Sequence, residues 1–266
     1  MNILKHEIKS GLKPFLLWTL GLFVLVFAGV TKSTGFSSGS SEGVAAIIDV
    51  FPRVVQAVFG MIGTDISTFG GFYAVLAQYS AILTAVYAVQ LGNGAVSRES
   101  TYKTYEFLFT KPRSRSFILA HKLLAGAIYL TAFCLLNFLF TFFAAASLEL
   151  AEDMTAYFAV FALSAWLIGM VFLALGTAAS TAFDSPERGA KAGNYSIIVA
   201  FVTGVVFDMF ERAAVLRFIA PFKYFLPAEM LDKNINPIFA VLCALIFAIF
   251  MMASFRSFEK RDLKEG

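Results

Sequence analysis

Residues 97–122 read SRESTYKTYEFLFTKPRSRSFILAHK and interrupt two long apolar runs. Arg98, Lys103, Lys111, Arg113, Arg115 and Lys122 alternate there with Glu99, Glu106 and several aromatic side chains. The chemistry this offers is non-covalent. Tyr102, Tyr105, Glu106 and Phe109 fall on one side of a helix over residues 101–110, by i, i+3, i+4, i+7 spacing, and Pro112 ends it. A basic loop alone would suit lipid headgroups. Aromatic anchors mixed with carboxylates suit a groove on a protein partner better, because such anchors carry most of the energy in docking contacts.

Elsewhere the chain holds little that could make or break a bond. Its two histidines, His6 and His121, both lie beside apolar runs rather than within them. No HExxH, GxSxG or Walker sequence is present. Cys134 and Cys243 sit in the middle of apolar runs, where packed free thiols are expected rather than a disulfide or a metal pair. Intramembrane Asp, Glu, Lys, Arg and His mark proton relays and ion paths; the apolar runs contain none in their interiors, and Asp208 stands at the end of one. The residues therefore argue against a proton-coupled carrier, a voltage sensor and an intramembrane enzyme.

The elements that must carry the loop follow from composition. Hydrophobic residues make up 59% of the 266, Phe accounts for 31, and charged residues are only 15%, against about 25% in a soluble domain. A helix crosses a bilayer with about 20 apolar residues. Six stretches approach or meet this, at 15–31, 72–95, 123–148, 157–183, 195–207 and 238–255. The fifth is the shortest and needs residues 192–194 and 208–210 at its ends, so five spans or a broken fifth is the alternative. An N-terminal signal peptide is disfavoured: the first apolar stretch is long for one, and no small-residue cleavage pattern follows.

Six spans place both termini on one side. With the termini cytoplasmic, fifteen of the 21 Lys and Arg residues lie inside and six outside, the bias that short cytoplasmic loops show. The net charge of +3 is thus an orientation signal and implies no nucleic-acid partner. Residues 1–13 place Leu4, Ile8 and Leu12 on one stripe beside Lys5, Lys9 and Lys13, the pattern of an amphipathic helix at the cytoplasmic lipid interface. Pro14 then restarts the chain at the first span. The first outside loop begins with a flexible SSGSSEG segment and continues as VAAIIDVFPRVVQAVFGMIG, whose Asp49, Pro52 and Arg53 favour a helix on the outer interface. The last outside loop mixes Phe, Leu and Ile with Arg217, Lys223, Glu229, Pro221 and Pro227, favouring short amphipathic or re-entrant helices. Within the spans, Gln78, Gln90, Asn93, Asn137 and Asn194 are expected to bond between helices, and Ala174, Gly176, Ala178 and Ser180 to let helices approach closely.

This ordered set resembles the permease subunits of the type-2 ABC exporters. Residues 97–126, SRESTYKTYEFLFTKPRSRSFILAHKLLAG, are similar to that family's succession of an acidic residue, a GT-x-E-x-L-L core, a P-x-S-R turn and a GK entering the third span. FPRVVQAVFGM is similar to its YP-x-x-(V/L)-x-x-A-F-G stretch in the first outside loop. Lys103 stands where the family usually has Gly, and Ala120 and His121 replace the common Gly before Lys122.

The resemblance implies an all-α membrane protein with six transmembrane helices, an N-terminal amphipathic connecting helix at residues 1–13, a cytoplasmic coupling helix within 98–122 and short re-entrant or interfacial outside helices. It implies a permease in the plasma membrane, paired with a second permease subunit as a homo- or heterodimer and bound to cytoplasmic ABC ATPase subunits. Glu99, Thr104, Tyr105, Glu106 and Phe107 would form the ATPase contact. No cofactor is implied in this chain; ATP and magnesium belong to the partner ATPase. Family substrates range from drugs and peptides to lipids and polysaccharides, so none is specified. A membrane scaffold or immunity protein that binds a partner without transport is the alternative from another class.

The charge bias makes a topological prediction. Single cysteines at Ser38 and Glu152 should be labelled from outside intact cells, and one at Thr101 only after permeabilisation. Labelling of Thr101 from outside would reverse the orientation.

Overall fold

The computed structural model describes residues 3–37, 50–102, 114–148, 154–210 and 214–260. Among these the regular structure is helical throughout. In chain order the elements are α1 (Ile3–Ser37), α2 (Arg53–Phe59), α3 (Phe69–Tyr102), α4 (Arg115–Ala146), α5 (Thr155–Ala182), α6 (Pro186–Met209), α7 (Ala214–Ile219), a 3-10 turn (Pro221–Lys223), α8 (Pro227–Leu231) and α9 (Pro237–Lys260). Six of them, α1, α3, α4, α5, α6 and α9, are long and apolar enough to cross a membrane.

Proline writes many of the helix starts. Pro186, Pro221, Pro227 and Pro237 stand in the first turn of an element, and Pro52 immediately precedes α2. A residue with φ already set and no N–H to leave unbonded is suited to that position. Ser114 caps α4 by accepting a hydrogen bond from the Phe117 N–H at 3.3 Å. The Asn236 side chain accepts from the Ile238 N–H at 3.1 Å and opens α9. Ahead of α3, Asp65 Oδ1 takes the Ser67 N–H at 3.0 Å and its hydroxyl at 2.5 Å. These bonds hold the exposed Asp65 carboxyl below the usual carboxylate range.

Two elements differ from the sequence expectation. The fifth span is a full helix of 24 residues, Pro186–Met209, rather than the apolar 195–207 alone. Its first turns are polar, which a helix tolerates outside lipid, and Glu187 pairs with Lys191 one turn on at 2.7 Å. Pro14 does not begin a new helix. Residues 3–13 are the first three turns of α1, which continues through the proline. An interior proline costs a helix about 3 kcal/mol; contacts of Glu7, Gly11 and Phe15 with α4 offset that cost.

The centre of the bundle is the pair α3–α5. At Gly92 an added Cβ would lie 2.4 Å from the Leu173 carbonyl oxygen, and at Gly176 it would lie 2.6 Å from that of Val89. Backbone therefore meets backbone in both directions. The small residues expected to permit close packing do so: Gly176 faces Val89, and Ser180 lies against Gly189 of α6. At the end of the bundle away from residues 103–113, Tyr73, Tyr157, Phe158 and Phe161 pack edge to face, with centroids 4.7–5.7 Å apart in the closest pairs. The Tyr157 hydroxyl donates to the Gly70 carbonyl at 2.9 Å. Around this pair the outer helices bury one stripe each. On α1 the stripe is Leu22, Val26, Val30 and Ser33, while Leu17, Leu20 and Val24 face outward. Cys134 and Cys243 are buried free thiols.

Gly176→Val should lower the melting temperature of the purified protein sharply, since overpacking costs about 1–3 kcal/mol even where only side chains must move. Leu245→Ala, on an outward-facing position of α9, should leave it nearly unchanged. Equal melting of Gly176→Val and the parent chain would refute the backbone contact.

Candidate functional site: the stems of the charged loop

α3 ends at Tyr102 within the charged segment and α4 begins at Arg115, so these two helices are the stems that flank it in the chain. The stems are held together by a hydrophobic cluster separate from the main core. Ala95 and Val96 of α3 meet Leu119 and Leu123 of α4 and Phe258 of α9, with Met251 and Phe255 packed against them. Sequence explains this locally: Leu119 and Leu123 are one turn apart on α4, and the last turns of α9 alternate Phe255 and Phe258 with charged residues that stay outside.

Polar contacts add register to this cluster. Lys122 Nζ lies 3.1 Å from Glu7 Oε1, with side-chain exposures of only 3% and 11%. Farther along the same helix pair, the Tyr129 hydroxyl donates to the Ile8 carbonyl. Gly11 lies against the Tyr129 ring, where a Cβ would come within 2.6 Å of a ring carbon. From the other side, the Ser116 hydroxyl donates to the Glu259 carboxylate. Deeper in the bundle the Ser180 hydroxyl donates to Asn93 Oδ1 at 2.8 Å, and Gly193 of α6 packs on the same Asn93 amide. The Ser257 hydroxyl donates to the Thr181 carbonyl at 2.8 Å. α1, α3, α4, α5, α6 and α9 are thus all tied at this end. Removing one member of a buried ion pair commonly costs about 3–5 kcal/mol, because the other charge is left without compensation.

The opposite end is tied by a different set of charges. Asp208, in the last turn of α6, meets Lys223 at 2.5 Å, both buried. Arg217 binds Glu229 through two contacts of 2.8 and 2.7 Å and donates to the carbonyls of Lys223 and Tyr224 at 3.0 and 2.8 Å. Its guanidinium also stands 4.1 Å from the centre of the Phe239 ring. The Tyr224 hydroxyl donates to the Phe218 carbonyl at 2.7 Å, and burial pushes its pKa up to about 12. Short helix α7 is thereby held against α6 and Phe239 of α9, and α8, tied to α7 through Glu229, packs on α3 and α5.

The chemistry available at the loop stems is mechanical: the two helices that flank the charged segment are clamped to each other. Among the described residues no group of three or more His, Cys, Asp or Glu could hold a metal ion. A family model described as ABC-2 family transporter protein matches residues 1–263. The chain belongs to the ABC-2 transporter family. A comparison with curated proteins finds no match. Members of this family are multi-pass membrane subunits of ABC transporters, generally without an ATPase site of their own and generally partnered with ABC ATPase subunits.

Within the ABC-2 chain, the predicted contact residues divide. Glu99 lies in the last turn of α3, on the incoming stem. Thr104, Tyr105, Glu106 and Phe107 lie outside the described residues, as does most of the helix expected over 101–110. Lys122, counted with the exposed loop charges in the sequence, is instead buried. Glu7 lies off the Leu4, Ile8, Leu12 stripe, so the apolar periodicity of α1 does not reveal it. In the structure Ile8 and Leu12 point outward, and Glu7 with Gly11 faces α4. The signal was available: Glu7 is the one acidic residue among Lys5, Lys9 and Lys13.

Proposed function

We propose that the chain is the membrane-spanning permease subunit of an ATP-driven exporter in the cell membrane, with both termini in the cytoplasm. It works as a dimer with a second permease subunit, identical or related, and the two line the path. ATP and magnesium bind the partner ATPase, and this chain converts the partner's movement into a change of the bundle. Glu99, Thr104, Tyr105, Glu106 and Phe107 make the ATPase contact. Lipid surrounds the outward faces of α1, α6 and α9.

The observation that carries this reading is the clamped pair of stems. Ala95 and Val96 on one side and Leu119 and Leu123 on the other hold the two ends of the segment together. A docking segment must be held this way if force on it is to reach the spans rather than be lost in a slack loop. The same stems belong to α3 and α4, and α3 is in backbone contact with α5. A push on the loop therefore has a stiff route into the centre of the bundle. Family membership and the excess of Lys and Arg on the loop side support the same orientation.

Glu106→Ala should weaken binding of the cognate ABC ATPase while leaving membrane insertion intact. Truncating a central contact residue costs about 2 kcal/mol, roughly thirtyfold in affinity. Titration of the ATPase onto the chain in lipid nanodiscs would measure it. Parent-like affinity for Glu106→Ala would remove this residue from the contact; no ATPase binding by the parent chain would overturn the permease reading.

A further inference from the structure

The first turns of α4 are gripped by residues from both ends of the chain. Glu7 of α1 reaches Lys122, and Glu259 of α9 receives the Ser116 hydroxyl. Ser116 and Lys122 are six residues apart, roughly 9 Å along a helix. Both contacts therefore fall on the stretch where the outgoing stem emerges from the charged segment.

Cohesion alone does not call for an ion pair at this place. The hydrophobic cluster already joins α3, α4 and α9, and Gly11, Phe15 and Tyr129 already join α1 to α4. A well-packed apolar pair commonly stabilises as much as a buried ion pair does, because the charges must be stripped of water. What two buried charges 3.1 Å apart add is position. Apolar surfaces tolerate sliding by a fraction of a turn, whereas a shift of that size separates the charges and leaves each without compensation. The Tyr129 hydroxyl on the Ile8 carbonyl acts in the same sense two turns farther on.

We infer that Glu7 and Lys122 are a positioning pair for the ATPase contact: they fix the axial register of α4 on α1, and so where the outgoing stem of the charged segment stands. The inference rests on the permease reading above. It gives the N-terminal turns of α1 a task in coupling that their outward stripe of Leu and Lys does not disclose. Load on the loop is shared between α4 and α1 through this pair.

The test uses the full chain in nanodiscs with its cognate ATPase and measures binding affinity and melting temperature for each variant. Glu7→Gln should weaken ATPase binding about tenfold, within the range typical of coupling between sites. Glu7→Lys combined with Lys122→Glu should recover most of the loss. Lys122→Arg, which keeps the charge but moves it, should fold and should weaken binding by a smaller factor. Lys223→Met breaks the comparably buried pair at the opposite end; it should lower the melting temperature at least as much as Glu7→Gln and leave ATPase affinity unchanged. Parent-like affinity in Glu7→Gln and Lys122→Arg would overturn the inference. So would affinity that falls in step with melting temperature across all variants, Lys223→Met included. Failure of the parent chain to bind any ATPase would instead remove the permease reading, and the pair's role with it.

Discussion

At Gly92 and Gly176 the backbones of α3 and α5 touch, and no side chain lies between them. Lipid tails are as apolar as leucine, so spans gain little from hiding apolar surface and associate instead through close packing and interhelical hydrogen bonds. The two glycines allow the first, and the Ser180–Asn93 bond one turn away supplies the second. α4 packs beside this pair through Gly169, Leu130 and Thr84. α1 and α9 then add one buried stripe each. If the central contact were looser, the stems of the charged segment would have nothing rigid to stand on.

The buried carboxylates and ammonium groups among the described residues lie near the ends of the spans or beyond them. Glu7 with Lys122 ties the loop end, and Asp208 with Lys223 ties the other. Between them the described helices are bridged by hydroxyl, amide and aromatic groups, such as the Trp18 indole N–H on Gln90 at 3.2 Å and the Trp166 indole N–H on Thr131 at 3.0 Å. This sorting fits a chain whose middle must sit in hydrocarbon, where an ionised group is costly. It also means that the two ends are built to different designs. The loop end is a convergence of long helices on one small apolar cluster. The other end is a cap of short helices organised by Arg217.

Much of this was legible in the residues. Long apolar runs gave the six spans, Pro221 and Pro227 among apolar and charged residues pointed to the short helices between the fifth and sixth spans, and the Gly and Ser spacing in α5 marked the close contact. The length of the fifth span was harder to read, because hydropathy reports which part of a helix suits lipid, whereas α6 begins nine residues before its apolar stretch. Glu7 was hidden for a related reason. A stripe of Leu and Ile at helical spacing suggests the buried face, yet beside lipid the outward face of a helix is apolar too, so the stripe could not say which side met protein. Pairings across the chain, such as Arg217 with Glu229 and Lys122 with Glu7, depend on tertiary placement that periodicity does not encode. Tyr105, Glu106 and Phe107 remain known by pattern and by resemblance to the family's coupling segment.

The central claim is that this chain is a permease driven by a separate ATPase docked at the charged loop. The most direct measurement is ATP hydrolysis and partner recovery on the tagged chain purified from its native membranes in mild detergent. The account predicts that an ABC ATPase co-purifies, that hydrolysis follows the ATPase through further fractionation, and that the chain stripped of it hydrolyses none. Hydrolysis by the isolated chain, or its recovery from native membranes with no ABC ATPase attached, would contradict the account.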